Sequence, residues 1–458
     1  MKIKLNALGK KAIALLLACC LGFGIAPSAL AFCGFFVAQA DADLFNEASQ
    51  VIIARDGDRT VLTMANDYQG EVEDFALVIP VPVLLEEDQV NVGDPTVLKR
   101  LDEYSAPRLV EYFDSNPCNP PMPRSAPMPA PAAMEADSMA PPQSDRSLGV
   151  TIEAEFSVGE YDILILSAQE STGLETWLRQ NNYTIPTGAS AVLQPYIRQN
   201  FKFFVAKVNL EEFKAGESQQ LRPLLMAYES PRFMLPIRLG MLNAHGDQDL
   251  IVYLLTRSGQ VELTNYRTVK IPSEFDVPEF VQDEFPDFYK AAFQKAYEQE
   301  RKEVGFLEYA WDMSWCDPCA ANPLTPEELR KAGVFWLGES SPDQRRINPF
   351  NGGAVDAFIT RLHVRYSRDR FPEDLAFQTT GNRQIFQGRY IIRRPYRGEM
   401  KCDAAADYRA RVRDRQEREA NQLVTVTGWR KTDVFGKINW FTEPTQPRSW
   451  WRNLWNRR

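Results

Sequence analysis

Few side chains in this chain are placed to do chemistry. Cys316 and Cys319 stand in Trp315-Cys316-Asp317-Pro318-Cys319, a spacing that suits a redox dithiol, because a helix start depresses the thiol pKa. A thioredoxin-like site would follow a buried strand and run directly into a helix. Here Asn322-Pro323 intervenes before the next helix signal. The pair therefore reads first as a structural disulfide tying a loop, next as a redox centre, and last as part of a metal site. Zinc needs four nitrogen or sulfur ligands, and the chain has only two histidines, His245 and His363.

The second candidate is Arg361, His363 and Arg365, which alternate with Leu362, Val364 and Tyr366. On a strand this puts three basic groups on one face, about 6.6 Å apart, with the apolar ones in the core. Such a face could grip a carboxylate, a phosphate or an acidic sugar, since guanidinium forks onto these anions. The competing reading is an ion-paired strand face. Asn243, His245, Asp247 and Asp249 cluster in a turn; oxygen ligands at alternate positions can hold calcium, but the full ligand loop ending in a bidentate Glu is missing, and they read as a polar turn. Met122, Met128, Met134 and Met139 are too widely spaced for one Cu(I) site. There is no Gly-x-Ser-x-Gly, His-Glu-x-x-His or phosphate loop. No catalytic residue, metal or cofactor is implied.

The elements that must position these groups read as β-rich. Val51-Ile52-Ile53 and Val61-Leu62-Thr63 flank Asp56-Gly57, a hairpin signal. Phe75 to Val81 is a strand, and Asp94-Pro95 opens a helix with Asp as N-cap and Pro in the first turn. Tyr161 to Leu166, Phe201 to Val208 and Leu235 to Leu239 are strands. Leu250 to Leu255 and Val261 to Tyr266 suggest a second hairpin about Ser258-Gly259. Pro286 to Arg301 is helical, Thr325 to Glu328 is a capping box, and Gly333 ends that helix. Ala357 to Tyr366 is a strand, and Ala404 to Gln422 is a charged helix with few core residues. The class is α+β, with mostly antiparallel sheets, a few short helices and two lobes.

Charge divides the chain into unlike parts. It has 52 Lys and Arg against 61 Asp and Glu, a net −9. The first 31 residues carry four lysines and no acid, and their 14-residue apolar run before Ala29-Leu30-Ala31 reads as a secretory signal cleaved after Ala31. Residues 381–458 hold 18 Lys and Arg against eight Asp and Glu, which leaves −23 for residues 32–380. The acidic total argues against nucleic acid as a partner. The C-terminal Trp450, Trp451, Leu454 and Trp455, interleaved with arginines, suit a membrane–water interface or docking on the acidic body. After cleavage five cysteines remain: Cys33, Cys118, Cys316, Cys319 and Cys402. In an oxidising compartment they would tend to pair, and sequence alone cannot choose the pairing. The organisation expected is a signal at 1–31, a β-rich lobe at 32–116, a Pro/Ala/Met-rich linker or inserted loop at 117–147, a main α+β lobe at 148–400, and a basic helix with a Trp/Arg tail at 401–458.

Several segments together resemble one family. They are Phe32-Cys33-Gly34-Phe35-Phe36, Val78-Ile79-Pro80-Val81-Pro82, Ser105-Ala106-Pro107-Arg108-Leu109, Gly159-Glu160-Tyr161-Asp162-Ile163 and Leu235-Pro236-Ile237-Arg238-Leu239-Gly240. Further on come Asp249-Leu250-Ile251-Val252-Tyr253, Cys316-Asp317-Pro318-Cys319, Thr360-Arg361-Leu362-His363-Val364-Arg365-Tyr366 and Arg370-Phe371-Pro372-Glu373-Asp374-Leu375. In this order they resemble the bacterial domain-of-unknown-function 2330 family of exported proteins. The resemblance implies an exported bacterial protein and supplies no catalytic residues. The expectation is thus a periplasmic or extracellular, non-catalytic envelope protein stabilised by disulfides, which binds an envelope protein or ligand. The alternative is a thiol-disulfide oxidoreductase using Cys316 and Cys319.

Overall fold

The computed structural model describes residues 35–38, 45–46, 49–65, 68–69, 75–119, 150–181, 188–215, 221–242, 246–315, 317, 322–338 and 355–441. The signal at 1–31, Cys33, nearly all of the proline-rich segment with its methionines, Asn243, His245, Cys316, Cys319 and the Trp450–Trp455 tail lie outside them.

The strand Ser49–Asp56 shows what drives the architecture. Val51 and Ile53 point to one side and Ile52 and Ala54 to the other, and all four are buried. A strand apolar on both faces needs cover on both. It turns through Gly57 and Asp58, one residue beyond the expected Asp56-Gly57, with the positive φ of 59° at Gly57 that the turn requires, and pairs with Arg59–Met64. These two strands sit inside a nine-stranded mixed sheet. Its order is Arg267–Lys270, Val304–Asp312, Phe358–Tyr366, Gln248–Thr256, Ser49–Asp56, Arg59–Met64, Leu224–Glu229 and Val90–Val92, with Phe386–Gln387 added beside Val304–Asp312. A five-stranded antiparallel sheet runs Phe35–Ala38, Phe75–Val81, Lys202–Val208, Tyr161–Ser167, Thr151–Val158.

The two sheets share one core, in which Leu77, Ile79, Ile163, Ile165 and Phe204 meet Val51, Ile53, Leu62, Val252 and Leu362. Helices Ser171–Gln180 and Ala189–Arg198 cover the far face of the smaller sheet through Leu174, Leu178, Leu193 and Tyr196. Helices Pro95–Ser105 and Pro326–Lys331 cover part of the far face of the larger one, and Phe285–Gln299 covers its other end through Phe293, which packs on Phe306. Each of these large side chains contributes about 1.5–3 kcal/mol by leaving water. The result is a helix–sheet–sheet–helix stack, α+β and β-rich, as the alternation of the sequence indicates.

Capping signals in the sequence correspond to real ends. Asp94 accepts from the Thr96 amide at 2.9 Å, and Thr325 and Glu328 form a reciprocal capping box. Two expectations need correction. Gln248–Thr256 and Val261–Leu263 do not pair with each other: the first pairs with Phe358–Tyr366, the second with Leu375–Thr379. Gly259 serves close approach, since a Cβ there would meet the Asn382 carbonyl at 2.5 Å. Leu235–Leu239 is no full strand either, because only Met234–Leu235 pairs before Pro236, and Leu239–Leu242 is a 3-10 turn.

The sheets also join segments from both sides of the proline-rich stretch. Phe75–Val81 pairs with Lys202–Val208, Ser49–Asp56 lies parallel to Gln248–Thr256, and Arg108–Phe113 lies parallel to Arg389–Arg394. Helix Ala404–Thr427 packs Ala420 and Leu423 against Phe288, Ala292 and Tyr390. It buries more than its charged sequence suggests, through Ala405, Tyr408, Val412, Gln416, Glu419, Leu423 and Thr427 at three- and four-residue steps. A disulfide between Cys118 and Cys402, with Cα atoms 5.6 Å apart, closes the far end of this unit.

Candidate functional site

Arg361, His363 and Arg365 do share one face of Phe358–Tyr366, the outer face of the large sheet. The neighbouring strand sets Tyr253, Ile251 and Asp249 opposite them in register. On the other side the pairing with Val304–Asp312 slips between Leu307 and Tyr309. This bulge leaves Glu308 without a cross-strand partner and turns its side chain toward the basic row. The Glu308 carbonyl is satisfied separately by the Gly388 amide at 2.7 Å.

Glu308 is fully buried and bridges two of the three cations. Its Oε2 accepts from Arg361 Nε at 2.6 Å and its Oε1 lies 2.7 Å from His363 Nδ1. Tyr289, from the covering helix, donates to the same Oε1. His363 Nε2 lies 3.1 Å from Asp249 Oδ1, and Arg365 grips both Asp249 oxygens at 2.7 Å each. Arg361 Nη1 donates to Asp102 at 2.6 Å and to Tyr253 at 3.2 Å, and Tyr253 donates to Asp102 at 3.0 Å. Phe293 stacks on the His363 ring at 3.9 Å between centroids, and the Arg365 guanidinium lies 4.8 Å from the centre of the Phe293 ring. Gln294 accepts from Arg365 at 2.6 Å.

The electrostatics follow from this packing. Burial alone would raise the Glu308 carboxyl, but the His363 and Arg361 charges and the bonds from His363 and Tyr289 hold it down at about 2. Burial pushes the His363 imidazole down, and the Glu308 charge with the Asp249 and Glu308 hydrogen bonds outweighs it, so its pKa rises above 6.5. Carboxylates face both ring nitrogens, an arrangement satisfied only by the doubly protonated ring. Asp249, despite burial, is held far below the carboxylate range by His363 and Arg365. Three cations thus meet three carboxylates, and the row is balanced within the fold. An imidazolium clamped on both sides has no lone pair to accept a proton.

The alternation of the sequence marks the basic row and the Asp249 neighbourhood; Glu308, Asp102, Tyr253 and Tyr289 join the site only through the fold. Glu308 carries a usable signal, a single acid inside the apolar run Val304-Gly305-Phe306-Leu307-Glu308-Tyr309-Ala310-Trp311. Asp102 has none, because only the docking of its helix brings it near.

Other marked segments also meet. Asp374 Oδ1 accepts from Tyr196 at 2.6 Å and from the Ile237 and Arg238 amides at 2.9 and 3.2 Å. It thereby ties the Arg370–Leu375 and Leu235–Gly240 segments together. Beside the cysteine pair, Asp317 is buried and accepts from Tyr309 and Gln387 at 2.9 Å each. Glu160 receives Arg222 through Nε at 2.9 Å and Nη2 at 2.6 Å. Among the described residues no group of three or more His, Cys, Asp and Glu side chains is arranged to hold a metal. Among the same residues no helix is long and apolar enough to cross a membrane.

Fold and site together define a β-rich α+β protein organised about an internal, charge-balanced array. The chain belongs to the DUF2330 family, described as an uncharacterized protein conserved in bacteria, whose match spans residues 27–378. Helix Ala404–Thr427 lies beyond that span. No curated protein sequence and no solved structure matches the chain.

Proposed function

We propose that this protein is an exported, non-enzymatic component of the bacterial envelope that binds or scaffolds, held in shape by disulfide bonding. The observation that carries this reading is the Cys118–Cys402 disulfide, which joins positions 284 residues apart. Such bonds form and persist in oxidising compartments, and the basic, apolar, small-residue order of residues 1–31 supports the same address. The balanced array supports a non-catalytic role, since its one histidine faces carboxylates on both nitrogens. Asp317, anchored to the sheet between the two cysteines, supports a structural use of Cys316 and Cys319 over an oxidoreductase. The Trp450–Trp455 tail adds peripheral contact with anionic lipid.

The test is fractionation of a bacterial host expressing the full chain, with thiol blocking before lysis. The expected product lies outside the cytoplasm, begins at Phe32 and holds Cys118 and Cys402 blocked from alkylation. An unprocessed cytoplasmic chain with both thiols free would contradict the reading. Turnover of a dithiol substrate, lost on Cys316→Ser, would replace it with the redox alternative.

A further inference from the structure

Helix Phe285–Gln299 ends in a way its sequence does not favour. The Lys302 amide bonds back to the Tyr297 carbonyl at 2.9 Å and the Arg301 amide to Glu298 at 3.1 Å, the paired closure of a Schellman motif. The left-handed position of that motif prefers glycine. Here Arg301 occupies it at φ 62°, and Lys302 follows at φ 63°. Such sparsely populated backbone positions are over-represented at functional sites.

Arg301 lines a cleft of about 760 Å³, together with Thr264, Tyr266, Arg267, Gln299 and Glu300, within the size range of small-ligand sites. The other charges on its wall are neutralised: Arg267 pairs with Glu300, and Glu303 lies 3.6 Å from Arg370. Asn265 is engaged by the Asp374 carbonyl and the Ala376 amide. Among the described residues the Arg301 guanidinium, the Gln299 amide and the Thr264 hydroxyl, all on solvent-exposed residues, pair with no other protein group and stay open to a ligand. They share the cleft wall with the half-buried Tyr266 ring, which is braced by Phe371 at 4.2 Å and fixed through its hydroxyl by the Glu373 amide at 3.0 Å.

The geometry points to a site for a small polyhydroxylated carboxylate, an acidic sugar, in this cleft. One unpaired guanidinium matches one carboxylate. An amide and a hydroxyl, each able to donate and accept, match ring hydroxyls. A braced aromatic face suits the apolar side of a sugar ring. The cleft is separate from Arg361, His363 and Arg365, whose charges meet the fold's own acids. The assignment deepens the binding role proposed above and rests on it.

Calorimetric titration of the whole, disulfide-bonded protein with glucuronate, glucose, acetate and inorganic phosphate tests it. Glucuronate is expected to bind saturably at about 1 mM, the weak end of specific binding, and at least tenfold better than the other three. Arg301→Gly is expected to weaken glucuronate at least tenfold while the melting temperature stays or rises, because glycine suits the left-handed position. No saturable glucuronate binding, equal binding of phosphate, or an Arg301→Gly protein that binds as wild type would overturn the site. Export is scored separately by fractionation, so an exported protein that ignores glucuronate fails here alone.

Discussion

Two regions of this molecule use the same chemistry, arginine against carboxylate, under different conditions. On the outer face of the large sheet, Glu308, Arg361 and His363 are sealed beneath a helix and every charge has an opposite within hydrogen-bond reach. Around the C-terminal helix the pairs lie nearer water. Arg415 holds Asp114 at 2.9 Å, Lys437 holds Glu284 at 2.6 Å and Arg394 holds Glu111 at 2.8 Å. This basic segment lies against acids of the preceding body, and one acid there is poorly served. Glu419 is 6% exposed, yet its Oε1 accepts no hydrogen bond, with Arg415 Nε at 3.4 Å. The contrast teaches that burial stabilises an ion pair only when the remaining lone pairs and protons are also satisfied.

The largest effect is expected from Glu308→Gln. It leaves Arg361 and His363 buried without their shared anion, and urea unfolding should show a loss of about 3–5 kcal/mol. A loss below 1 kcal/mol would mean that water reaches the array. Next is removal of the disulfide. Cys118→Ser should lower stability by about 2–4 kcal/mol and speed proteolysis within 404–437 before the sheets are cut.

Glu419 comes third. Burial, with the Asp276 and Glu279 charges, pushes its carboxyl up to about 7 against the opposing pull of Arg415. A raised folded pKa favours the protonated form, so stability is complete below the ordinary 4.5 and falls as pH climbs through about 7. Glu419→Gln should flatten that fall and gain about 1–3 kcal/mol at pH 8. An unchanged pH profile would show that Glu419 ionises freely. The smallest effect belongs to Lys437→Ala at the half-exposed pair with Glu284, within about 1 kcal/mol and less at high salt.

Much of the frame was legible in the sequence because its signals are local. The turn at Gly57, the Asp94 and Thr325 caps and the Phe358–Tyr366 alternation depend on neighbours a few residues away. The partners of the basic row were not legible. Glu308 reaches it through a bulge, Asp102 through a docked helix 259 residues away in sequence. The Leu250 to Tyr266 pairing misled because Gly259 marks a close approach as readily as a hairpin turn. The Arg301 cleft left no motif, since a left-handed arginine is visible only in the backbone.

Glu308, Asp249 and Asp102 balance the Arg361–His363–Arg365 row from within the fold. With only two histidines in the chain, NMR titration of His363 tests this balance most directly, using His245→Gln to assign the signal. The ring should remain doubly protonated beyond pH 6.5, with stability lost only as pH rises through its elevated pKa, and its shifts should ignore added phosphate. A ring that titrates at or below 6.5, or moves saturably with phosphate, would contradict the account.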